Sequence, residues 1–166
     1  MRALPADPGL RLIVATDGAA RGNPGPAGIG VHITTPDGET VDEIARGIGV
    51  ATNNVAEYTA AIEGLGRAAE LGASDVLLRS DSRLLVEQLR GAYRVKNPVL
   101  QRLHAEVRSI AAGFRRVEYR HVPRERNREA DRLANAGVDA WLAAEGAGWR
   151  APEPDPLLWP EGDPGA

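Results

Sequence analysis

Two runs of the sequence, "LRLIVATD" (residues 10–17) and "SDVLLRSD" (residues 74–81), do most to limit what this chain can fold into. Each carries consecutive apolar residues and closes on an aspartate. A strand that is apolar at successive positions is buried on both faces, so it belongs inside a sheet with helices packed above and below it. The first run is expected at the sheet centre. In an open α/β sheet the site forms outside the carboxyl ends of the strands, so Asp17 and Asp81 are expected at one functional edge.

The rest of the chain supplies the other layers. "AGIGVHITTPDGETVDEIARGI" holds two extended stretches around "PDGE", whose Asp-Gly signals a hairpin. "NVAEYTAAIEGLGRAAEL" has helical spacing from Asn54, the expected cap, to Leu71, although Gly64 and Gly66 lower its propensity. "SRLLVEQL" and "PVLQRLHAEVRSIAAG" read as helices, the second opened by Pro98. "RRVEYRHV" alternates as a strand, and "READRLANAGVDAWLAA" reads as a final helix. The expected order is β-β-β-α-β-α-α-β-α, a mixed α/β sheet flanked by helices.

A chain of 166 residues that is 43% hydrophobic can bury one domain's core. We expect an N-terminal extension at 1–10, a folded domain at 11–145 and an acidic, proline-rich tail at 146–166, of the kind that links to a second domain. No apolar run reaches the roughly 20 residues that span a bilayer, and the first residues lack the apolar middle of a signal peptide. A soluble, cytoplasmic protein follows as the expectation, with no membrane partner. The absence of cysteine excludes disulfides and thiolate metal sites, leaving carboxylates or imidazoles as ligands for a hard cation. With a net charge of −3 the composition does not mark a nucleic-acid binder, but residues 89–128 are markedly basic.

Asp17, Glu57, Asp81 and Asp131 each have an ordinary explanation. Asp17 suits an Asp-Gly turn, Glu57 the third position of a capping box from Asn54, Asp81 an N-cap, and Asp131 a first helical turn paired with Arg128 or Arg132. Together they suggest more. If the two apolar strands are neighbours, Glu57 and Asp131, each early in a following helix, reach the same point. Four carboxylates at low dielectric repel by several kcal/mol and require cations among them. A pair of hard cations is the device used for phosphoryl displacement.

The segments "TDGAARGNPGPAG", "TNNVAEYTAAIEGL", "RSDSRLLVEQL" and "RNREADRLANAG" resemble the successive motifs of ribonuclease H of the prokaryotic type I family, in order and spacing, over roughly residues 11–143. The resemblance implies the ribonuclease H-like fold, a five-stranded mixed sheet in which the first and fourth strands are adjacent. It implies metal-dependent hydrolysis of the RNA strand of an RNA–DNA hybrid to 5′-phosphate and 3′-hydroxyl ends, by a protein expected to be monomeric. Two Mg²⁺ ions, with Mn²⁺ as a substitute, would be held by Asp17, Glu57, Asp81 and Asp131. Gly22 and Gly25 would let the first loop approach the minor groove, with Pro24 and Pro26 stiffening it. Asn23, Asn53 and Asn54 would contact sugars and base edges, Thr52 and Asn97 a DNA phosphate, and Arg83 the position often held by glutamine. A non-catalytic hybrid-binding module on the same fold is the alternative, which the intact carboxylates disfavour.

The chain departs from that family twice. A basic, tryptophan-containing protrusion common in the family is replaced by "LRGAYRVKN", so Arg90, Tyr93, Arg94 and Lys96 are left to substitute for it. The second departure concerns the histidine that often assists product release. His121 matches its spacing from Asp131 without gaps, yet "VEYRHVPRERN" also reads as a strand through His121 and a shortened loop. We favour the gapped reading, in which Arg124 or Arg126 approaches the scissile phosphate. His32 and His104 read as ordinary strand and helix residues.

Overall fold

The computed structural model describes residues 9–146 and 148. Five strands and four helices follow the expected order: β1 (Leu10–Ala20), β2 (Gly25–Thr34), β3 (Thr40–Ala51), α1 (Asn53–Glu70), β4 (Ala73–Ser80), α2 (Arg83–Leu89), α3 (Pro98–Ala111), β5 (Arg116–His121) and α4 (Arg128–Ala144), with a short 3₁₀ turn at Arg124–Arg126. The strands lie in the order β3-β2-β1-β4-β5, so β1 is central and β4 is its neighbour. β1, β2 and β3 are antiparallel, and β4 and β5 join in parallel. The tail expected from residue 146 lies, apart from Gly146 and Gly148, outside the described residues, as does most of the N-terminal extension.

Alternation along β1 divides the molecule into layers. Leu12 and Val14 enter the main core with Val31, Ile33, Val76 and Leu78, against Tyr58 and Leu65 of α1 and Leu100 and Val107 of α3. The other face of β1, β2 and β3 receives α4, and there the sheet is paved with glycine. A Cβ on Gly30 would lie 2.0 Å from the Ala130 carbonyl oxygen and 2.4 Å from the Ala134 nitrogen, so the helix sits directly on strand backbone. Helix α4 buries Ala130, Leu133, Ala134, Gly137 and Val138 on that face.

The chain differs from expectation at several boundaries. β1 does not stop at Asp17 but runs on to Ala20, because β2 continues to pair with it as far as Ala20↔Ala27. The exposed segment thus shrinks to Arg21–Pro24, closed by the Arg21 N–H donating to the Pro26 carbonyl at 2.8 Å. Gly22 takes φ +115°, and a Cβ on Gly25 would lie 2.2 Å from the Arg21 carbonyl oxygen, so both glycines are required by the turn itself. Helix α1 is capped by Thr52, whose hydroxyl accepts the Val55 N–H, and not by Asn54. Gly64 is tolerated because a Cβ there would meet Val14 at 2.8 Å, where helix and strand pack closely.

Candidate active site

The parallel pairing of β1 with β4 ends at Ala15↔Arg79 and β4 itself ends at Ser80, while the antiparallel side of β1 pairs on to Ala20. Losing one neighbour before the other leaves a crevice beside the last residues of β1. Asp17 stands there, 5% exposed, with Asp81 opposite it just past β4. Glu57 arrives from α1, its Oε1 accepting the Gly18 N–H at 2.6 Å. One carboxylate oxygen from each of Asp17, Glu57 and Asp81 lies within 4.8 Å of the others. Asp131, in the first turn of α4, lines the same open depression of about 460 Å³, together with Arg124 and Asn53.

Apart from the first-turn position of Asp131, the ordinary explanations do not account for these carboxylates. Glu57 bonds the end of β1 instead of a helix cap. Ser82, not Asp81, caps α2 by accepting the Leu85 N–H at 3.2 Å. Asp131 faces Arg124, 4.0 Å away, whereas Arg132 is taken by Glu129 at 2.9 Å and Glu43 at 3.4 Å. Burial, followed by the charges of Asp81 and Asp131, pushes the Asp17 carboxyl up to about 8. Burial first, then Asp17 and Asp81, raises Glu57 well above the usual carboxylate range, and burial also raises Asp81. Arg124 opposes the rise at all three. Such a cluster costs free energy whenever it is fully ionised, and an all-oxygen donor set of this charge fits hard divalent cations.

Two polar residues not singled out in the sequence hold the cluster in place. Asn127, 2% exposed, donates from Nδ2 to the Thr16 carbonyl at 2.9 Å and approaches Asp81 Oδ2 at 3.5 Å, while its own carbonyl accepts the Asp131 N–H at 3.1 Å. It thus ties β1, the end of β4 and α4 at one point. Asn135 donates to the Asp131 carbonyl at 3.0 Å and accepts from Arg21 Nη2 at 3.3 Å, and Arg21 also pairs with Asp139 at 2.7 Å. In the sequence Asn127 reads as a plain helix cap and Asn135 as a polar helix residue, one turn beyond Asp131.

The remaining anticipated residues fall into two groups. Asn23 and Asn53 brace the β1–β2 turn against α1: Asn23 Oδ1 accepts the Asn53 N–H at 3.0 Å and Asn53 Oδ1 accepts the Ala20 N–H at 3.1 Å. Thr52 is 1% exposed behind them, and Asn54 occupies the first turn of α1. Asn97 caps α3 through Oδ1, accepting from Val99 and Leu100, while Tyr93 is 46% exposed in the preceding loop. At the opposite flank His121 is the last residue of β5, paired with Ser80, and its Nδ1 lies 3.4 Å from Arg83 Nη2. The strand therefore runs through His121, which is the strand placement of the gapped reading. Arg124, 82% exposed by side chain, lines the depression with the carboxylates, as does Arg21, whose side chain also contacts Asn135 and Asp139.

Comparison with known proteins gives this geometry a lineage. The Reverse transcriptase-like family matches residues 15–137. A bifunctional protein of Mycobacterium tuberculosis is 48% identical over 132 residues, which is 79% of this chain but 36% of that protein, so the chain spans about a third of this relative's length. A ribonuclease HI of Halobacterium salinarum is 45% identical over 133 residues, 80% of this chain and 67% of its own. Among solved structures, LC11-RNase H1 in complex with an RNA/DNA hybrid superposes with a TM-score of 0.76 at 43% identity, covering 79% of this chain and 99% of that one. Since the family match takes in all four carboxylates and the haloarchaeal likeness extends over two thirds of that enzyme, the chain belongs to the ribonuclease HI-like family.

Proposed function

We propose that this chain is a metal-dependent endonuclease that hydrolyses the RNA strand of RNA–DNA hybrids, leaving 5′-phosphate and 3′-hydroxyl ends. The observation that carries the reading is the convergence of Asp17, Glu57 and Asp81 within 4.8 Å, with Asp131 on the same depression and the asparagine-braced turn at its rim. Asp17, Glu57 and Asp81 would hold one Mg²⁺, and Asp17 with Asp131 a second, with Mn²⁺ as substitute; bound there, such ions activate water and stabilise charge on the phosphate and leaving oxygen. Asp17, the most crowded of the four, has the central place.

The chain's own residues do the rest. Asn127 and the Gly18 N–H fix the carboxylates in register, so that no reorganisation is needed when the substrate arrives. Arg124 presents a guanidinium at the mouth of the site, where it can pair with the scissile phosphate. Asn23 and Asn53 offer amide groups at the turn for sugar and base edges, including the 2′-hydroxyl that separates RNA from DNA. Thr52, covered by its neighbours, contributes through the helix start that it fixes, and Asn97 offers its amide N–H₂ to a DNA-strand phosphate. Arg83 and Tyr93 extend the contact surface on either side. The setting we propose is a monomer in the cytoplasm. No helix among the described residues is long and apolar enough to cross a membrane.

The decisive experiment presents one labelled strand as RNA–DNA hybrid, RNA duplex, single strand and DNA duplex, with Mg²⁺, Mn²⁺ or chelator. Cleavage of the RNA strand in the hybrid alone, abolished by chelator, is the expected result. Hybrid binding without cleavage under either metal would instead make the chain a recognition module.

A further inference from the structure

The loop between α2 and α3 has no regular structure through residues 90–97, yet its backbone is fastened along its length. The N–H groups of Ala92 and Tyr93 both donate to the Glu87 carbonyl, at 2.9 and 3.1 Å. Gln101 Nε2 donates to the Val95 carbonyl at 3.0 Å, and the Val95 side chain packs against the core. The central tie comes from inside the protein. Gln88, 5% exposed, donates from Nε2 to the Arg94 carbonyl at 3.2 Å and accepts at Oε1 from the Tyr58 hydroxyl at 2.6 Å. Tyr58 is 1% exposed and follows Glu57 directly on α1. His104 of α3 completes the enclosure: its Nε2 lies 3.0 Å from the Gln88 carbonyl and its ring meets Tyr58 edge-on at 6.4 Å.

A buried amide and phenol in an apolar core are costly unless fully bonded, and an aliphatic and a phenylalanine side chain would fill the same space without that burden. What the polar pair specifies is the position of the Arg94 carbonyl. Tyr93, Arg94 and Lys96, on either side of that point, are all exposed. These are the residues left to perform the task of the missing basic protrusion. Phosphate contacts set the register of a nucleic acid, and they do so only from a fixed backbone.

We infer that Gln88 and Tyr58 are positioning residues for hybrid recognition, a buried hydrogen-bonded line from the helix that bears Glu57 to the basic loop, holding Tyr93, Arg94 and Lys96 at a set distance from the carboxylates. The inference rests on the hybrid being the substrate, as proposed above. It assigns the loop's placement to two buried side chains.

The test uses steady-state cleavage of a labelled hybrid by the full chain carrying Gln88→Met or Tyr58→Phe, alone and together with Arg94→Ala/Lys96→Ala. Hybrid binding by the corresponding Asp17→Asn proteins and a thermal melt accompany it. Gln88→Met is expected to raise KM on the order of fivefold, with kcat within about twofold of wild type. Tyr58→Phe, which keeps the ring and its contact with His104, should give a smaller rise in the same direction. In the Arg94→Ala/Lys96→Ala background both effects should vanish, because nothing is left for the line to position. A merely structural role would lower the melting temperature and leave the KM effect intact in that background, and this result overturns the inference. So does an unchanged KM in a folded Gln88→Met protein; if Gln88→Met does not fold, Tyr58→Phe alone decides by the same criteria. Cleavage by wild type with unchanged KM in the variants sinks the inference and spares the proposed function, whereas a wild-type chain that neither binds nor cuts a hybrid removes both.

Discussion

Asp17 holds its carboxyl group at about 8 in the folded chain, against 3.8 ordinarily, with burial the larger cause and neighbouring carboxylates the next. The folded chain therefore keeps a proton that the unfolded chain releases between those values. Metal-free stability is full below the unfolded value and falls as pH rises through the folded one, and Glu57 shifts in the same sense. We expect the metal-free melting temperature to drop between about pH 4 and about pH 8, and Mg²⁺ to restore it at the upper end by replacing the proton. Asp17→Asn should flatten this dependence, melt higher than wild type without metal near neutral pH by about 1 kcal/mol or more, and abolish cleavage. A metal-free melt in which Asp17→Asn is the less stable protein would rule out a crowded site. At the opposite rim, Arg124 is exposed and pairs with Asp131 only at 4.0 Å. Arg124→Ala should lower kcat about tenfold or more while shifting stability by less than about 0.5 kcal/mol. His121→Ala removes a partly buried strand-end side chain and should cost on the order of 1 kcal/mol of stability with kcat nearly unchanged; the opposite pattern in this pair of variants reassigns the role to histidine.

Among the elements, α4 carries the greatest responsibility, since it brings Asp131 to the site by lying on bare strand backbone. Gly30→Ala would force a Cβ into the Ala130 carbonyl, one residue before Asp131, and push the helix outward. The expected cost is about 1–3 kcal/mol together with a large loss of kcat, measurable by denaturant titration and steady-state kinetics. Full activity in Gly30→Ala would show that the helix does not need this contact. This packing marks where reading from sequence alone reaches its end. Element order, the central position of "LRLIVATD" and the meeting of the four carboxylates were legible because apolar runs and their closing aspartates are local patterns. "GIGVHI" discloses a strand but not that Gly28 and Gly30 face a helix about a hundred residues further on. The caps went astray for a related reason. Thr52, Asn53 and Asn54 are all good caps, and the choice among them depends on Asn23 occupying the Asn53 N–H from another loop. Asn127 and Asn135 are not legible in the sequence, because a side chain that joins separate elements gives no sign of it in a linear pattern.

For the molecule as a whole, the uneven distribution of charge matters more than its sum. A net charge of −3 is compatible with nucleic-acid binding when four of the carboxylates are gathered in one crevice and Arg90, Arg94 and Lys96 lie on one exposed loop. Hybrid binding by Asp17→Asn protein should therefore weaken steeply as salt rises, each phosphate contact adding about 0.9 to the logarithmic slope. A slope near zero would remove the electrostatic part of recognition. The sheet order has one further consequence. β1 pairs in parallel with β4 across three intervening elements, and Asp131 lies 114 positions beyond Asp17, so the carboxylates of the site come from distant parts of the sequence. Contacts of such separation carry a large loop-closure entropy and slow folding. A nascent chain released as far as α3 already carries Asp17, Glu57 and Asp81, but lacks Asn127 to tie them and Asp131 to complete them. Synthesis itself therefore leaves the carboxylate cluster incomplete until α4 has emerged and docked on the sheet, the helix that carries Asp131 setting the moment at which the four can meet.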